Sequence, residues 1–481
     1  MPDALTQAQD SAGTAFKLER HGTDHIPLAE RWARPRDLGA MWLGASTNVE
    51  YLVYGAILAT FGFSFTQCLV LIVLGNASFV LLGLTSLQGP QAGTTVFTIN
   101  KAAFGTRGSR PLAGLNWLTQ LGFETEGMIL IVGAVLALAS MAGSALAGPA
   151  KLLVIVSAVA CQLVLPYLGH ATMAKVLRAM AVPFIIGYVV LAAFAIAHAD
   201  LHQQGPGAGW QLMLVGLAFT VTLGGLGWAE NGNDYSRYLR PDASRRAIVG
   251  WVTVATAIPQ ALIMLVGVAV ATFLGHAAQW NGANPFSAFT GSHQVLPVAF
   301  TAPFLVLCIL QLFCINSLDL YSSSVSLQAL GLKVTRWRAV LLDSAIVAVL
   351  TTYGVFSSTF AGLLKDFVVL VICWIAPWVA IFLTDWWLRG LTYDPVALQD
   401  QRRSGRYFGG VGGVHWPAIA AQVAGTLAAL AGVSNPALLV GPVASWAGTD
   451  LSIPLAVLVA SGTYLVLTSA SRSRREARWL S

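Results

Sequence analysis

Apolar residues occur along the chain in long runs, and short polar stretches between these runs carry most of the charges. A helix that crosses a membrane needs about 20 mostly apolar residues. The pattern predicts twelve membrane spans, numbered here in chain order. They cover Leu38–Phe61, Gln67–Leu87, Leu112–Met141, Leu152–Leu168, Met173–Ala197, Leu212–Glu230, Ile248–Leu274, Phe300–Leu330, Val340–Phe356, Phe360–Leu388, Pro417–Val433 and Leu451–Ser469.

The composition agrees with a membrane protein. Hydrophobic residues make up 56% of the 481 residues and charged residues 10%, and the mean hydropathy is +0.69. Soluble proteins carry about 25% charged residues, so the solvent for most of this surface is lipid. The net charge of +6 does not indicate a nucleic-acid partner, because the basic residues cluster between apolar runs and form no basic face.

The positions of the lysines and arginines predict the orientation of the chain. If twelve spans alternate, all of the 27 Lys and Arg residues except Lys151 and Lys365 fall on one side. The positive-inside rule places that side, with both termini, in the cytoplasm of a cell membrane. Lys365 and Asp366, near the outer end of span 10, are interpreted as interfacial.

Spans 1 and 6 have polar, glycine-rich centres that predict interrupted helices. Leu43–Glu50 includes Ser46 and Asn48, and Leu223–Asn233 includes Trp228. Interrupted helices at matching positions of two halves mark the substrate site of many transporters, although glycine-mediated helix packing would give a similar pattern. Their separation predicts two inverted five-span repeats and two extra spans. The predicted divisions are a cytoplasmic N-terminal segment 1–36, repeats 37–198 and 212–388, a cytoplasmic loop 389–414, spans 11 and 12 within 415–470, and a cytoplasmic tail 471–481.

Five carboxylate residues fall within predicted spans, namely Glu50, Glu124, Glu126, Glu230 and Asp319. Each one costs several kcal/mol at membrane depth and therefore needs a partner or a function. Glu124 and Glu126 are about 200° apart around a helix, so at most one of them lines a central cavity. Because burial disfavours the charged form of a carboxyl group, Glu50, Glu126, Glu230 and Asp319 are candidate proton carriers. The alternative is a structural carboxylate that accepts hydrogen bonds from unwound backbone or from nearby Asn and Ser.

Two aromatic residues are candidates for stacking on a planar substrate. Trp228 follows the glycine run of span 6, and its indole offers a flat π face beside the predicted break. Phe123 on span 3 could supply a second face. Packing against lipid is the commoner place for a single aromatic side chain, and the position of Trp228 within the break argues against it.

Short motifs occur in a characteristic order from about Leu18 to the end of span 10. They are Glu19–Pro27 with Glu30-Arg31, Met41-Trp42 with Gly55, Gly89-Pro90 with Phe104–Gly108, Leu115–Trp117 with Gly122-Phe123, Gly227-Trp228 with Asp234–Tyr238, and Asn316 with Tyr321-Ser322, Gln328 and Leu330-Gly331. Together they resemble the nucleobase:cation symporter-1 family, on its purine–cytosine permease branch.

The resemblance implies an all-α polytopic fold with a LeuT-like five-plus-five core, alternating access, and a base held between two aromatics and two amides. Carried over, the aromatics fall on Phe123 and Trp228. The amide position of span 3 falls on Gly127, and that of span 8 falls on Asp319, with Asn316 one turn earlier. Ser46 and Asn48 at the break of span 1 complete the candidate substrate-binding residues.

Departures from the family pattern bear on the substrate and the coupling ion. Fungal members have a Glu where this chain has Leu177. The amide expected in span 3 is missing, and the adjacent residue is the acidic Glu126. The amide expected in span 8 is replaced by the acidic Asp319. Sodium-coupled relatives place hydroxyls five and six residues before the binding Asn. Those positions hold Gln311 and Leu310 counted from Asn316, and Cys314 and Phe313 counted from Asp319. Since Na⁺ needs hard oxygen ligands, proton coupling is expected rather than sodium coupling.

The sequence therefore predicts a symporter that imports a nucleobase or related small N-heterocycle, of the cytosine or purine type. A cationic heterocycle resembling thiamine or a pyridine is the alternative substrate, and an uncoupled channel or facilitator is the alternative mechanism. No enzymatic motif, metal-ligand spacing or nucleotide loop is present in the sequence, so we expect no enzymatic activity, metal or cofactor. The expected partners are the substrate, a proton and the lipid bilayer, with no obligatory protein or nucleic acid.

Overall fold

The computed structural model describes residues 22–164, 170–201, 205–275, 277–290, 296–332, 334–356 and 359–479. The first 21 residues of the predicted N-terminal segment lie outside this part of the chain. Ten of the described helices are long and apolar enough to cross a membrane, and the shorter apolar helices Val49–Ala59 and Gly148–Gln162 belong to spans 1 and 4. Together they account for the twelve predicted spans.

Most spans are single helices, and three are divided. The single helices are Ser109–Met141 (span 3), Gly148–Gln162 (4), His170–His198 (5), Arg245–Val270 (7), Val298–Ala329 (8), Arg336–Phe356 (9), Phe360–Leu388 (10), Trp416–Gly432 (11) and Ser452–Trp479 (12). Span 2 consists of Phe65–Ala77 and Phe79–Thr85. Shorter helices lie at Leu28–Glu30, Gln88–Ala92, Val96–Ile99, Lys101–Phe104, Ala277–Trp280, Pro285–Thr290, Pro395–Gln399, Val411–Gly413 and Pro442–Ala447, and strands Ser434–Asn435 and Leu439–Val440 pair antiparallel.

Span 1 is interrupted where the sequence predicts a break. Its two helices are Pro35–Ser46 and Val49–Ala59, and the intervening Thr47 and Asn48 have non-helical backbone angles. The Asn48 side chain accepts a hydrogen bond from the Glu50 N–H at 3.2 Å, which caps the second helix. An Asn at this point therefore both ends one helix and begins the next.

Span 6 is interrupted over a longer stretch. The helix Trp210–Val221 is followed by a π-helical turn, Thr222–Leu226, by a 3₁₀ turn, Ala229–Asn231, and by the short helix Gly232–Ser236. Gly224, inside the π-helical turn, has the non-helical angles φ −98° and ψ −132°. This break lies in the glycine run that predicts it.

Neighbouring spans satisfy the polar backbone that the break of span 6 exposes. Ser78, which divides span 2, accepts a hydrogen bond from the Gly225 N–H through its hydroxyl oxygen at 2.9 Å. Gln260 of span 7 donates from its amide to the Leu223 carbonyl at 3.2 Å. Unpaired backbone groups are costly inside a membrane, so these two side chains stabilise the unwound conformation.

The spans pack as two groups that face each other. Span 8 packs along span 3, which also contacts span 9, whereas span 7 packs along both helices of span 1 and against span 2. A Cβ atom at Gly55 would overlap the Met264 carbonyl oxygen, so glycine allows the backbones of spans 1 and 7 to approach closely. Spans 11 and 12 pack on each other and on span 10. The breaks of spans 1 and 6 therefore face spans 3 and 8.

Candidate functional site

Two aromatic rings face each other at the break of span 6. The rings of Phe123 and Trp228 are nearly parallel, with an interplanar angle of 14° and a centroid separation of 6.3 Å. A planar ring in van der Waals contact with both faces needs about 7 Å between the two ring planes. The centroid separation is an upper limit on the spacing of the two planes, so the rings must move apart to admit a flat heterocycle between them.

Other aromatic side chains hold this pair in place. Trp42 of span 1 packs edge-on against Trp228 at 5.5 Å, and Phe367 of span 10 packs edge-on against Phe123 at 4.9 Å. Edge-to-face packing limits the rotation of each ring of the pair. The hydroxyl of Tyr51 also lies within hydrogen-bonding reach of Trp228. The two faces are thus preorganised for a planar molecule.

Three buried carboxyl groups from different spans lie close to each other. Glu50 of span 1, Glu126 of span 3 and Asp319 of span 8 are near enough to interact electrostatically. Among the described residues, the two carboxyl oxygens of Glu126 and the Oδ1 of Asp319 have no partner with hydrogen-bond geometry. The Tyr54 hydroxyl lies beside Glu126. Buried polar atoms are nearly always paired in proteins, so these oxygens are available to a ligand or a proton.

Gly127 lies at the corner where Glu50 and Asn316 meet. The Asn48 amide donates to Glu50 at 3.1 Å, and the Asn316 amide donates to the Glu124 carbonyl at 3.1 Å. A Cβ atom at Gly127 would overlap the Asn316 Oδ1 and lie 3.1 Å from the Glu50 Oε1. The Asn316 Oδ1 itself has no described hydrogen-bond partner. The space that an amide side chain would need at Gly127 is therefore taken by Asn316 and Glu50.

Replacing Gly127 with alanine is expected to weaken substrate binding about tenfold or more. The added methyl must push Asn316 or Glu50 away, and overpacking of this kind typically costs 1–3 kcal/mol. The measurement is equilibrium binding to the purified variant, after a thermal melt has shown that it folds. Gly250→Ala is the matched control, because a Cβ there meets nothing within 4 Å. Equal affinity in Gly127→Ala and the parent would contradict this placement of Asn316.

The remaining candidates have contacts of their own, although Glu124 and Glu230 also interact electrostatically with Asp319. Glu124 points toward span 4 and accepts a hydrogen bond from Gln162 at 2.9 Å, so it and Glu126 face different sides, as their spacing predicts. Glu230 accepts from Gln120 of span 3 at 3.3 Å and leaves its Oε2 unpaired among the described residues. Ser46 is buried as the last residue of the first helix of span 1. Ser46 and Glu230 therefore lie at the breaks of spans 1 and 6 respectively.

Four residues of this region are not identified from the sequence. Tyr51 of span 1 lies beside Trp228, and Tyr54, three residues later, lies beside Glu126. The sequence signal that could have identified them is this helical spacing directly after Glu50. Ser78 and Gln120 carry no sequence signal, because isolated Ser and Gln residues within apolar runs are common. Their contacts depend on which spans come together.

Comparison with known proteins places the chain among transporters. A family model described as "Permease for cytosine/purines, uracil, thiamine, allantoin" matches residues 25–466. The Bacillus subtilis (strain 168) protein named "Putative purine-cytosine permease YxlA" is 26% identical over 479 residues, which cover 96% of this chain and 98% of that protein. The matched proteins are permeases and transporters, and the chain is not an enzyme.

Solved structures show the same fold. The structure of Mhp1, a nucleobase-cation-symport-1 family transporter in a closed conformation with bromovinylhydantoin bound, superposes with a TM-score of 0.71 at 18% identity, over 93% of this chain and 94% of that one. A manganese transporter of Eremococcus coleocola superposes with a TM-score of 0.53 at 14% identity, over 94% of this chain and 96% of that one. The predicted all-α polytopic fold with a LeuT-like five-plus-five core is confirmed.

Proposed function

Because this chain belongs to the family of permeases for cytosine/purines, uracil, thiamine and allantoin, as its sequence motifs predict, we propose that it imports a nucleobase or a related small N-heterocycle by proton symport. The transport mechanism is alternating access, in which the group of spans 1, 2, 6 and 7 moves relative to the group of spans 3, 4, 8 and 9. The name of the Bacillus subtilis relative and the hydantoin bound to Mhp1 both support a planar, nitrogen-containing ring as the substrate.

The observation that carries this proposal is the near-parallel pair of Phe123 and Trp228. Two flat faces that are parallel to within 14° and have centroids 6.3 Å apart suit a flat ring better than an aliphatic or spherical substrate. Polar atoms at the edge of this pair then select among flat rings. Glu50, Glu126 and Asp319 supply acceptors for ring N–H groups, and carboxyl groups that carry a proton also donate to ring nitrogen or carbonyl atoms.

The three carboxyl groups also support proton coupling. Buried carboxyl groups that interact with each other disfavour simultaneous ionisation, which favours a proton held among them. Sodium has little support, because Gln311, at one of the positions where sodium-coupled relatives have a hydroxyl, accepts a hydrogen bond from the Tyr188 hydroxyl at 2.8 Å. That contact links spans 5 and 8 and occupies the carbonyl oxygen of Gln311. Glu126 and Asp319 are the leading proton carriers, and Glu50 and Glu230 are secondary candidates.

Both termini are proposed to face the cytoplasm, with the protein in the cell membrane. The support is the distribution of Lys and Arg, all but two of which fall on the side of the N terminus. On this side, Arg237 donates to the Gly22 carbonyl at 2.6 Å, and the Val96 N–H donates to Asp234 at 2.9 Å. These contacts join the N-terminal segment and the loop after span 2 to the end of span 6, and thus close the face proposed to be cytoplasmic.

A cationic heterocycle is the second candidate substrate. Among the described residues, no lysine or arginine forms a salt bridge with Glu50, Glu126 or Asp319. Buried carboxyl groups without a protein cation attract a positively charged ligand. A thiamine-like or pyridine-like cation could supply that charge in place of a proton.

A binding and uptake panel tests the proposed function. Purified protein is screened by thermal shift with cytosine, purines, uracil, allantoin, hydantoins, thiamine and pyridoxine, and ligands that bind are then tested for uptake into proteoliposomes without sodium. We expect stabilisation by one nucleobase-like ring, and uptake that an inward proton gradient drives and a protonophore abolishes. Uptake that requires sodium, or that is independent of the proton gradient, would contradict proton symport. Binding by thiamine or pyridoxine alone would favour the cationic alternative.

A further inference from the structure

A cavity separate from the central site opens on the face of the protein opposite the N terminus. It has a volume of about 330 Å³ and lies where span 1 ends and spans 6 and 10 begin. We call it the Lys365 cavity. The lining residues that matter here are Thr60, Phe61, Phe219, Lys365, Asn435 and Asp450.

The Lys365 ammonium lines the cavity without a hydrogen-bond acceptor among the described residues. Its ammonium nitrogen lies 4.5 Å from the centroid of the Phe61 ring, and no carboxylate of the described residues forms an ion pair with it. Thr60 donates to the Ile57 carbonyl at 2.7 Å. The half-buried ammonium therefore has donors available for a carbonyl oxygen or an anion.

The other polar lining residues stabilise the neighbouring loop. Asp450 accepts from the backbone N–H groups of Ser434 at 2.8 Å and Ser452 at 3.0 Å. The Asn435 amide donates to Asp366 at 2.9 Å. Asp450 and Asn435 are therefore engaged with the loop, which leaves Lys365, the Ser434 hydroxyl and the aromatic wall for recognition within the cavity.

A row of aromatic rings connects this wall with the central site. Phe61 lies 5.5 Å from Phe219, and Phe219 lies 6.5 Å from Tyr54. Tyr54 lies beside Glu126 and 5.8 Å from Tyr51, which is within reach of Trp228. These ring contacts join the wall of the Lys365 cavity to the residues beside the central carboxyl groups.

We propose that the Lys365 cavity is an outer binding site that holds the planar heterocycle before it enters the central site, with the ring carbonyl oxygen on the Lys365 ammonium. Phe61 and Phe219 supply the apolar wall for the ring. This proposal rests on the proposed function and adds a second place for the same substrate. It also gives Lys365 a role in recognition rather than at the membrane interface, where the sequence had suggested it.

The test isolates the outer site by weakening the central one about ten- to a hundredfold, beyond the ligand concentrations used in the dialysis. Equilibrium dialysis with radiolabelled cytosine, uracil and hypoxanthine, each of which has a ring carbonyl, is carried out on the parent and on Trp228→Ala. The expected stoichiometry is two per chain for the parent, with one tight and one weak site, and one weak site for Trp228→Ala. Adding Lys365→Met to Trp228→Ala is expected to weaken that remaining site about tenfold, because a charge-assisted hydrogen bond is lost.

Lys151 provides the matched control. It is the other lysine that falls on this side of the alternating spans, and its ammonium also lies over an aromatic ring, 5.6 Å from the centroid of Phe356. Trp228→Ala with Lys151→Met should bind as Trp228→Ala does. If Trp228→Ala does not fold, as judged by thermal melting, Phe123→Ala replaces it as the background.

The possible results separate the two proposals. Two results would overturn the outer site while leaving the proposed function intact. The first is one bound molecule per parent chain and none per chain of Trp228→Ala. The second is weak binding to Trp228→Ala that the addition of Lys365→Met leaves unchanged. Failure of the parent to bind any of the three compounds would contradict the proposed nucleobase substrate, and the outer site with it.

Discussion

Replacing Trp228 with alanine is expected to weaken binding of the heterocycle at the central site by about ten- to a hundredfold. Loss of one aromatic stacking face costs about 1–3 kcal/mol per base, and 1.4 kcal/mol corresponds to tenfold in affinity. The effect should lie near the upper end, because Trp228 is almost fully buried, with 6% of its surface exposed, and forms one of two facing walls. Equilibrium binding at the tight site, combined with uptake into proteoliposomes, measures it.

Two further variants separate loss of stacking from loss of folding. Removal of a large buried side chain typically costs 3–5 kcal/mol of stability, so a thermal melt accompanies every binding measurement. Trp228→Phe keeps a smaller flat face and should retain most of the affinity. Trp446→Ala removes an indole that is 88% exposed and should have no effect. Unchanged affinity in folded Trp228→Ala would refute the stacking role.

Neutralising Glu126 is expected to remove the pH dependence of uptake and the ability to concentrate substrate. In a proton symporter the carrier group must be protonated when it faces the outside, so uptake by the parent should fall as the external pH rises. A glutamine at position 126 neither gains nor releases a proton. Glu126→Gln should therefore equilibrate substrate without accumulating it, with a rate that stays flat across the pH range.

Asp319→Asn restores the amide that the family has at this position in span 8. It is expected to keep binding of neutral nucleobases and to weaken binding of cationic rings about tenfold, because one buried charge is removed. Glu124→Gln is the control for both variants, since Glu124 is equally buried on span 3 but accepts a hydrogen bond from Gln162 of span 4. These roles would be refuted if both Glu126→Gln and Asp319→Asn had the same uptake, pH profile and substrate preference as the parent.

The architecture of this protein is largely predictable from its sequence. The apolar runs locate the spans, because only a helix satisfies its own backbone hydrogen bonds in lipid. The breaks of spans 1 and 6 follow from Asn48 and Gly224, residues that favour helix caps and non-helical backbone. The opposite directions of Glu124 and Glu126 follow from helix geometry alone.

The detailed contacts of the site are not predictable in this way. Ser78 supports the break of span 6 across 147 positions of sequence, and Asn316 reaches the Glu124 carbonyl across 192. Such contacts depend on how two spans are rotated and displaced relative to each other, which side-chain periodicity within one span does not determine. For the same reason, the sequence places Lys365 near the outer end of span 10 but does not show that it lines a cavity there.

Interrupted spans also explain why the site combines order with the capacity to move. The aromatic pair is held by edge-on contacts, whereas the backbone beside Trp228 is linked to its neighbours through single hydrogen bonds from Ser78 and Gln260. Ser78 and Gln260 belong to spans 2 and 7, so both bonds lie within the group of spans proposed to move together. In the proposed mechanism, span 6 can therefore shift relative to span 3 while these bonds stay intact.

An experimental structure of the protein with a bound nucleobase, determined in lipid nanodiscs, tests the central site most directly. The account predicts flat density between Phe123 and Trp228, with the rings separated to about 7 Å and the edge of the ligand facing Glu126 and Asp319. A saturating ligand that binds elsewhere while the two rings keep their 6.3 Å contact would contradict it.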